Sequence, residues 1–161
     1  MLFIWLALLL VFVSFGLIVI IGAPYVPTKN KDIERLFREL KLKPNSLVVD
    51  LGSGDGRVLL AAAKASHRAV GYELNPVLFF TSWLRLRKYR DRADVNFKNL
   101  TKADISRADL VFIFTAQPFV NNLSNKFKRG LKPGAKVVSY GFSLPRKKIT
   151  RKIGPMLVYQ F

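Results

Sequence analysis

Two acids and three glycines with regular spacing are the residues of this chain best suited to bind a ligand. Asp50 lies in the apolar run "LVVDL", and Gly52, Gly54 and Gly56 follow at alternate positions. Glycines in this pattern let the backbone turn tightly and approach a ligand without a Cβ in the way. Glu73 ends a second apolar run about twenty residues beyond the loop, where an acid can accept both hydroxyls of a ribose.

The spacing of the glycines argues against the common phosphate-binding loops. The dinucleotide fingerprint G-x-G-x-x-G needs its third glycine at position 57, which is Arg57, and the loop G-x-x-x-x-G-K-[ST] is missing. Asp50 and Asp55 bracket the loop, and their charges would repel a pyrophosphate but suit an ammonium or sulfonium group. For Asp55, capping of the following helix is an equal alternative. The predicted ligand is a nucleoside with a free ribose and a cationic, amino-acid-like end, which S-adenosylmethionine fits.

Alternating strand and helix patterns must position these residues. The predicted strands are "SLVVDLG", "AVGYE", "DVNFKN", "ADLVFIF" and "AKVVSYGF", followed by a terminal antiparallel hairpin ending in "MLVYQF". The predicted helices are "NKDIERLFRELKL", capped by Asn30, then "RVLLAAAKAS", "PVLFFTSWLRLRKYR" and "NNLSNKFKRG". This alternation implies an α/β, Rossmann-like, doubly wound sheet that is mostly parallel. Such sheets bind ligands beyond the carboxyl ends of their strands, where Asp50 and Glu73 are expected.

The beginning of the chain has a different composition. Residues 2–22 carry no charge, and at roughly 1.5 Å per residue they can span a bilayer core of roughly 30 Å. A cleaved signal peptide fits less well because no Lys or Arg precedes the run, and a buried core helix fits less well because the run has no polar face. We therefore expect a transmembrane anchor in residues 1–23, a linker and leading helix in residues 24–45, and the sheet domain in residues 46–161.

The net charge of +17 predicts an acidic partner. Basic residues directly after the apolar run favour a single-pass protein with its sheet domain on the cytoplasmic side. Two further clusters predict contact with an anionic membrane surface in preference to nucleic acid. One cluster consists of Arg85, Arg87, Lys88, Arg90 and Arg92, and the other of Arg146, Lys147, Lys148, Arg151 and Lys152.

The chain has no cysteine, which excludes disulfides, thiolate metal sites and cysteine nucleophiles. No metal site is expected. The single histidine, His67, falls at the far end of the helix that follows the glycine loop, and we expect it at the surface, away from the ligand.

Several motifs resemble those of a known family. "VVDLGSGDGRV" and "AVGYELNP" resemble the first two motifs of class I S-adenosylmethionine-dependent methyltransferases. "APYVPTK", "GDGR", "GYELNP" and "LKPGAKVVSYGF" resemble more narrowly a group of protein-lysine methyltransferases. That group includes a broad-specificity archaeal enzyme and membrane-anchored mitochondrial enzymes that modify the ATP synthase c-subunit and the adenine nucleotide translocase. The resemblance implies that residues 46–161 form a class I methyltransferase domain.

The resemblance also implies a role for individual residues. The cofactor would be bound by Asp50, Leu51, Gly52, Ser53, Gly54, Glu73, Leu74, Asn75 and Asn99. The methyl group and the incoming lysine would be bordered by Tyr25, Thr28, Thr115, Tyr140 and Phe142. For Tyr140 and Phe142, ordinary packing of a strand is an equal alternative.

The implied reaction is methyl transfer to the amine of a protein lysine. This in-line displacement depends on positioning and desolvation, so a dedicated base is not required. An RNA methyltransferase stays open, although "FTAQPF" stands where an N-P-P-[YF]-like tetrapeptide would follow the fourth strand. A lipid or small-molecule methyltransferase at the membrane and a non-enzymatic tethered binding module also stay open. Because the linker "GAPYVPTK" is short, the expected protein substrates with an accessible lysine include membrane proteins.

Overall fold

A computed structural model of the chain describes residues 3–6, 9, 13 and 25–161. The predicted membrane anchor, residues 2–22, lies mostly outside these residues. The members of the anchor that are described, at 3–6, 9 and 13, are helical and exposed. In the described part of the chain, no helix combines the length and the apolar character needed to cross a membrane.

A seven-stranded sheet in the order β3-β2-β1-β4-β5-β7-β6 forms the centre of the molecule. Strands β1 to β5 run parallel to their neighbours, whereas β7 is antiparallel to β5 and β6. The predicted Rossmann-like sheet with a terminal antiparallel hairpin is thus confirmed. The strand order reverses between β1 and β4, so a ligand crevice is expected beyond their carboxyl ends. The strands are β1 (Leu47–Leu51), β2 (Arg68–Glu73), β3 (Ala93–Phe97), β4 (Leu110–Ile113), β5 (Lys136–Tyr140), β6 (Arg151–Ile153) and β7 (Met156–Gln160).

Helices cover both faces of this sheet. Neighbouring residues of a strand therefore pack into two separate apolar cores, one on each face of the sheet. In β1, for example, Val48 belongs to one core and Val49 to the other. This double covering explains why the central strands are apolar without alternation. From residue 25 onward the helices are α1 (Asn30–Leu40), α2 (Arg57–Lys64), α3 (Pro76–Arg85) and α4 (Gln117–Gly130), and a 3-10 turn, Leu100–Lys102, lies between β3 and β4. Helices α1 to α3 pack on one face and α4 on the other.

Several helix ends differ from the sequence-based expectation. Helix α4 begins at Gln117 rather than at Asn121. Pro118 lies in its first turn, where backbone N–H groups have no partner within the helix, so the proline removes no helical hydrogen bond. Helix α3 ends at Arg85, after which the chain continues in tight turns with bonds such as that from the Arg87 N–H to the Leu84 carbonyl. The residue that caps α1 is Lys29, without a side-chain hydrogen bond, and Asn30 is already helical.

The expected surface position of His67 is wrong. The side chain is only 5% exposed, and its ring lies 5.8 Å from the ring of Phe37 on α1. Burial lowers the pKa of His67 below its ordinary value. The sequence indicates that this histidine lies at the end of α2, but it does not reveal that α1 packs across that end.

Candidate active site

The glycine loop connects β1 to α2 and has a conformation that few residues other than glycine adopt. Gly52, Gly54 and Gly56 have φ angles of +83°, +54° and +77°, in the left-handed region where a Cβ is strained. The loop is fixed to the adjacent strand because the N–H groups of Gly52 and Ser53 donate to the Tyr72 carbonyl, at 2.9 and 3.1 Å. The backbone of the loop is therefore held in place, and its glycines carry no side chain toward the neighbouring space.

A cavity of about 250 Å³ opens next to this loop, at the predicted edge of the sheet. It brings together most of the residues predicted to bind the cofactor or to border the methyl group. Those that line it are Tyr25, Thr28, Asp50, Leu51, Gly52, Ser53, Gly54, Glu73, Leu74, Asn99 and Thr115.

Asp50 contributes a buried carboxyl group to this cavity that lacks a hydrogen-bond donor among the described residues. It is 3% exposed, and none of the described residues donates a hydrogen bond to its carboxylate. Burial, and then the charges of Glu73 and Asp55, raise the pKa of Asp50 well above its usual range. A cationic group in the cavity would stabilise the ionised form, so this position suits the ammonium group of an amino acid.

Glu73 also lines the cavity, but it is already a strong hydrogen-bond acceptor. Its Oε2 accepts from the Gly54 N–H at 2.8 Å, and its Oε1 accepts from the N–H groups of Leu74 and Asn75 at 2.9 and 2.7 Å. A carboxylate offers about four acceptor sites, so about one remains for a ligand. Glu73 thus connects the glycine loop to the end of β2 and keeps room for one hydroxyl rather than two.

Asp55 does not supply the free negative charge expected from the sequence. Arg57 donates to it through Nε and Nη2, at 2.9 and 2.7 Å, and Arg85 on α3 lies 2.6 Å from it. Burial acts to raise the pKa of Asp55, but the hydrogen bonds from Arg57 and Arg85 outweigh burial and lower the pKa to about 2. Asp55 thus stays ionised but is paired with two arginines, so the attraction for a cationic ligand rests mainly on Asp50.

Residues 25–28, hereafter the cover segment, lie over the glycine loop. The Tyr25 ring is so close that a Cβ at Gly54 would be 2.7 Å from its Cε2 atom. Arg57 Nη1 donates to the Thr28 carbonyl at 2.9 Å, and Thr28 is buried. Arg57, which stands where a dinucleotide loop would have its third glycine, thus fixes the cover segment to the loop. Tyr25 and Thr28 both line the cavity, and their role beside the cofactor stays a prediction.

An aromatic wall on the other side of β1 was missed by the sequence analysis. Phe112 and Phe114, from β4 and just beyond it, line the cavity together with Phe119 from the first turn of α4. Thr115 lies among them, and its buried hydroxyl has no hydrogen-bond partner in the described structure. The alternation of phenylalanines in "FIFTAQPF" was a usable signal, since residues two apart on an extended chain face the same side.

Two asparagines assigned to the cofactor act as helix caps. Asn75 does not line the cavity, and its Oδ1 accepts from the N–H groups of Val77 and Leu78 at 2.9 and 3.2 Å. Asn99 does line the cavity, and its Oδ1 accepts both the N–H and the hydroxyl of Thr101 at 2.9 Å. The carboxamide oxygen of each is therefore engaged within the protein.

Tyr140 and Phe142 lie outside the lining of the cavity. The Tyr140 ring packs on Phe114 with 4.5 Å between centroids, and its hydroxyl donates to Asp32 on α1 at 2.7 Å. Burial and the bond to Asp32 raise the pKa of Tyr140 to about 12. Phe142 packs against the core on the α4 side of the sheet. Tyr140 thus contacts Phe114 without lining the cavity itself. Any role of Tyr140 or Phe142 toward lysine stays a prediction.

Comparison with known proteins connects this site to a family. The family model described as the ANTKMT methyltransferase domain matches residues 50–151, which is more than half of the chain. The chain belongs to the ANTKMT methyltransferase family. The match includes the glycine loop, Glu73 and the aromatic wall. The resemblance to class I methyltransferases inferred from the motifs is thereby confirmed.

Relatives of this ANTKMT-family domain include protein-lysine methyltransferases. The human lysine N-methyltransferase of the ATP synthase c-subunit is 39% identical over 126 residues, covering 76% of this chain and 53% of that protein. A protein-lysine N-methyltransferase of Saccharolobus islandicus (strain REY15A) is 35% identical over 125 residues, covering 75% of this chain and 78% of the archaeal one. The chain thus spans about half the length of its human relative but most of the archaeal one.

A similar fold occurs in a solved structure with a bound product of the cofactor. The RNA methyltransferase from Salinibacter ruber, in complex with S-adenosyl-L-homocysteine, has a TM-score of 0.77 and 28% identity, covering 84% of this chain and 92% of its own. S-adenosylmethionine is therefore the cofactor of this domain.

The residues of the cavity fit this cofactor. Asp50 offers an unpartnered carboxylate for the ammonium group, and Glu73 has an acceptor site left for a ribose hydroxyl. The buried hydroxyls of Ser53 and Thr115 are without partners in the described structure. The bare backbone at Gly52 allows close approach to a ligand. No group of side chains able to hold a metal is found among the described residues.

Proposed function

We propose that the protein is a methyltransferase that modifies the side-chain amine of a protein lysine. The observation that carries the proposal is a single cavity holding both the unpartnered Asp50 carboxylate and an aromatic wall of Phe112, Phe114 and Phe119. Its relatives named as lysine N-methyltransferases support the same substrate class.

One set of cavity residues binds the cofactor and keeps water away from it. When bound, S-adenosylmethionine would supply a methyl group on a positively charged sulfur. The neutral amine would bond to that methyl carbon in line as the C–S bond breaks, and S-adenosylhomocysteine would leave. Asp50 holds the ammonium end of the cofactor, and Glu73 orients the ribose through its remaining acceptor site. Tyr25 and Thr28 exclude water from the glycine loop, because the cover segment closes over it.

The aromatic wall prepares the substrate amine. A lysine side chain that enters among Phe112, Phe114 and Phe119 loses water, which disfavours its charged form and lowers its pKa. The amine therefore releases its proton to solvent as it enters the wall, so the chain needs no dedicated base. The unpartnered hydroxyl of Thr115 is placed to accept a hydrogen bond from the arriving amine.

A labelling experiment tests this activity and its substrate class. We expect the purified full-length protein to transfer labelled methyl groups from S-adenosylmethionine to lysines of host proteins, as identified by mass spectrometry of labelled bands. Asp50→Asn serves as the control with weakened cofactor binding. Since the relative from Salinibacter ruber is an RNA methyltransferase, RNA is the second candidate substrate. Label that survives protease but not ribonuclease would establish RNA instead, and label in extracted lipid would establish a lipid substrate.

We further propose that residues 2–22 anchor the protein in a membrane with its catalytic domain on the cytoplasmic side. The run carries no charge, and basic residues follow it at Lys29, Lys31, Arg35 and Arg38. The members described in the structure, such as Phe3 and Trp5, are apolar, helical and exposed. On this basis the preferred substrate is a lysine in, or docked against, a membrane protein.

Fractionation tests the anchor. The full-length chain should stay with membranes through carbonate and high-salt washes, whereas a chain lacking residues 1–22 should be released by salt because salt screens surface charge. Protease added to the cytoplasmic face should digest the catalytic domain. Release of the full-length chain by salt alone would disprove the anchor, and label confined to soluble proteins would disprove the membrane-protein substrate.

A further inference from the structure

Exposed apolar side chains are concentrated on one part of the catalytic domain. After Val26, the large apolar residues that the structure describes as exposed all lie in residues 74–97. Apart from Leu74 they form what is here termed the aromatic patch: Phe80, Trp83, Leu84 and Phe97, with 56%, 39%, 43% and 55% of their surface exposed. Outside residues 74–97, from residue 27 onward, the large apolar side chains are buried or half-buried, so this patch sets α3 apart from the other helices.

Three members of the aromatic patch lie on the outer side of α3, and Phe97 on β3 lies next to that helix. Phe80, Trp83 and Leu84 have helical spacing of three and four residues, which places them on the same side. The rings of Phe80 and Trp83 stack with 5.8 Å between centroids, and Phe97 packs edge-on against Phe79 at 5.5 Å. Leu78 and Ser82 on the inner side are buried, so α3 is already packed against the domain and the outer apolar face is additional.

Basic residues are close to the aromatic patch in sequence, and one of them, Arg90, contacts it. Arg87, Lys88 and Arg90 follow α3 directly, and Lys98 follows Phe97. The Arg90 guanidinium lies 4.2 Å from the centre of the Trp83 ring and donates to the Trp83 carbonyl at 3.2 Å. The acids in residues 85–98 are Asp91 and Asp94, fewer than the basic residues. Aromatic and leucine side chains bordered by arginine and lysine are typical of surfaces that bind the interface of anionic membranes.

We propose that the aromatic patch docks onto an anionic lipid bilayer. Phe80, Trp83 and Leu84 enter the headgroup region, and Arg87, Lys88 and Arg90 bind lipid phosphates. This contact goes beyond the proposed anchor, because it involves a folded face of the catalytic domain and requires neither methyl transfer nor a particular substrate.

Docking through α3 would fix the orientation of the cofactor cavity. The helix begins three residues after Glu73, and its inner face contacts the glycine loop. Ser82 lies against Gly56, and Arg85 pairs with Asp55 at 2.6 Å. A bilayer bound to the outer face of α3 therefore holds the cofactor loop at a set distance and angle from the lipid.

Tryptophan fluorescence can test this proposal in the full-length chain. The protein has two tryptophans, Trp5 and Trp83, so Trp5→Phe leaves Trp83 as the reporter. The variant is reconstituted into vesicles of phosphatidylcholine alone or with phosphatidylglycerol, with lipids brominated at shallow depth as quenchers. In the anionic vesicles we expect a blue shift and roughly twofold quenching of Trp83 emission, and in the neutral vesicles little of either.

Matched charge reversals show whether the quenching of Trp83 depends on the basic residues near the aromatic patch. In the Trp5→Phe background, Arg87→Glu with Lys88→Glu should remove the quenching. Lys128→Glu with Arg129→Glu makes the same change in net charge at the end of α4, on the opposite side of the sheet, and should leave the quenching intact. Circular dichroism confirms that each variant is folded.

Specific outcomes would overturn the proposal. An unquenched, solvent-accessible Trp83 in anionic vesicles would show that the patch does not touch lipid. Equal loss of quenching in both charge-reversal pairs would show only general attraction. Quenching by single-stranded RNA but not by vesicles would assign the patch to nucleic acid, on which aromatic side chains stack. Because methyl transfer is not measured, these outcomes are independent of the proposed activity.

Discussion

Asp50→Asn is expected to weaken S-adenosylmethionine binding by about 10- to 100-fold and also to stabilise the cofactor-free protein. Binding suffers because the ammonium group of the cofactor loses its negative partner. Stability increases because the free protein no longer buries a carboxylate without a hydrogen bond from the described residues. A single substitution should therefore lower cofactor affinity and raise the stability of the free protein. This is expected of a buried charge that binds a ligand and destabilises the fold when the ligand is absent.

The pH dependence of stability follows from the direction of the pKa shift. Because the folded pKa of Asp50 is raised, the folded protein binds this proton more tightly than the unfolded chain does. The contribution of Asp50 to the free energy of unfolding therefore falls as pH rises from the unfolded pKa of about 4 toward the folded pKa, and stays low above it. Asp50→Asn should remove that fall, and thermal denaturation of both proteins across this range would measure it.

Asp109→Asn is the matched control for this prediction. Burial opposes ionisation of Asp109, but hydrogen bonds from Lys132 and the Leu47 N–H outweigh it and lower its pKa. Its contribution has the opposite sign, so this variant should be less stable at neutral pH while cofactor affinity, measured by calorimetry, stays unchanged. Unchanged affinity in Asp50→Asn would disprove the assignment of Asp50 to the cofactor.

Gly54→Ala is expected to displace the cover segment and to reduce cofactor affinity at least about tenfold. The added Cβ would be 2.7 Å from the Tyr25 ring, at a φ of +54°. The ring must move away from the loop, and water then enters beside the cofactor. Left-handed strain alone adds a cost of roughly 1 kcal/mol, so the folded state should be less stable as well.

Gly134→Ala separates strain from displacement. Gly134 has a φ of +82° and no atom within 4 Å of an added Cβ, so this variant should lose stability but keep full affinity. In Gly54→Ala combined with Tyr25→Ala, the steric conflict disappears, and stability should recover in part while affinity does not. Recovery of affinity in the double variant would mean that Tyr25 has no part in retaining the cofactor.

The parts of the site that are predicted correctly depend on local sequence. Asp50 and the glycines are recognisable by their spacing within one strand and one turn, and the alternation of elements predicts where that turn lies in the sheet. The aromatic wall is not predicted, because Phe112 and Phe114 also have the composition of an ordinary buried strand. Phe119 falls outside the predicted helix, since the pattern does not reveal the first turn of α4.

The errors concern partners that are distant along the chain. Asp55 is not the free charge that the sequence predicts, because Arg85 reaches it from another helix. His67 is not at the surface, because the position of α1 is set by tertiary packing. In each case local pattern gives the residue type and element but not the neighbour, which only the packed structure supplies.

The bond between Arg57 and the Thr28 carbonyl gives the domain a mechanical property. The polypeptide enters the domain through the cover segment and is not anchored in the core until Ile33 and Leu36 of α1. A pulling force on the chain before Tyr25 therefore acts first on the contact between Tyr25 and Gly54, and then on the bond from Arg57 to Thr28. Tension would separate the Tyr25 ring from Gly54 and expose the cofactor loop. Without tension the ring would return to Gly54 and cover the loop again. Cofactor exchange in this protein is thus expected to respond to load on its N-terminal side.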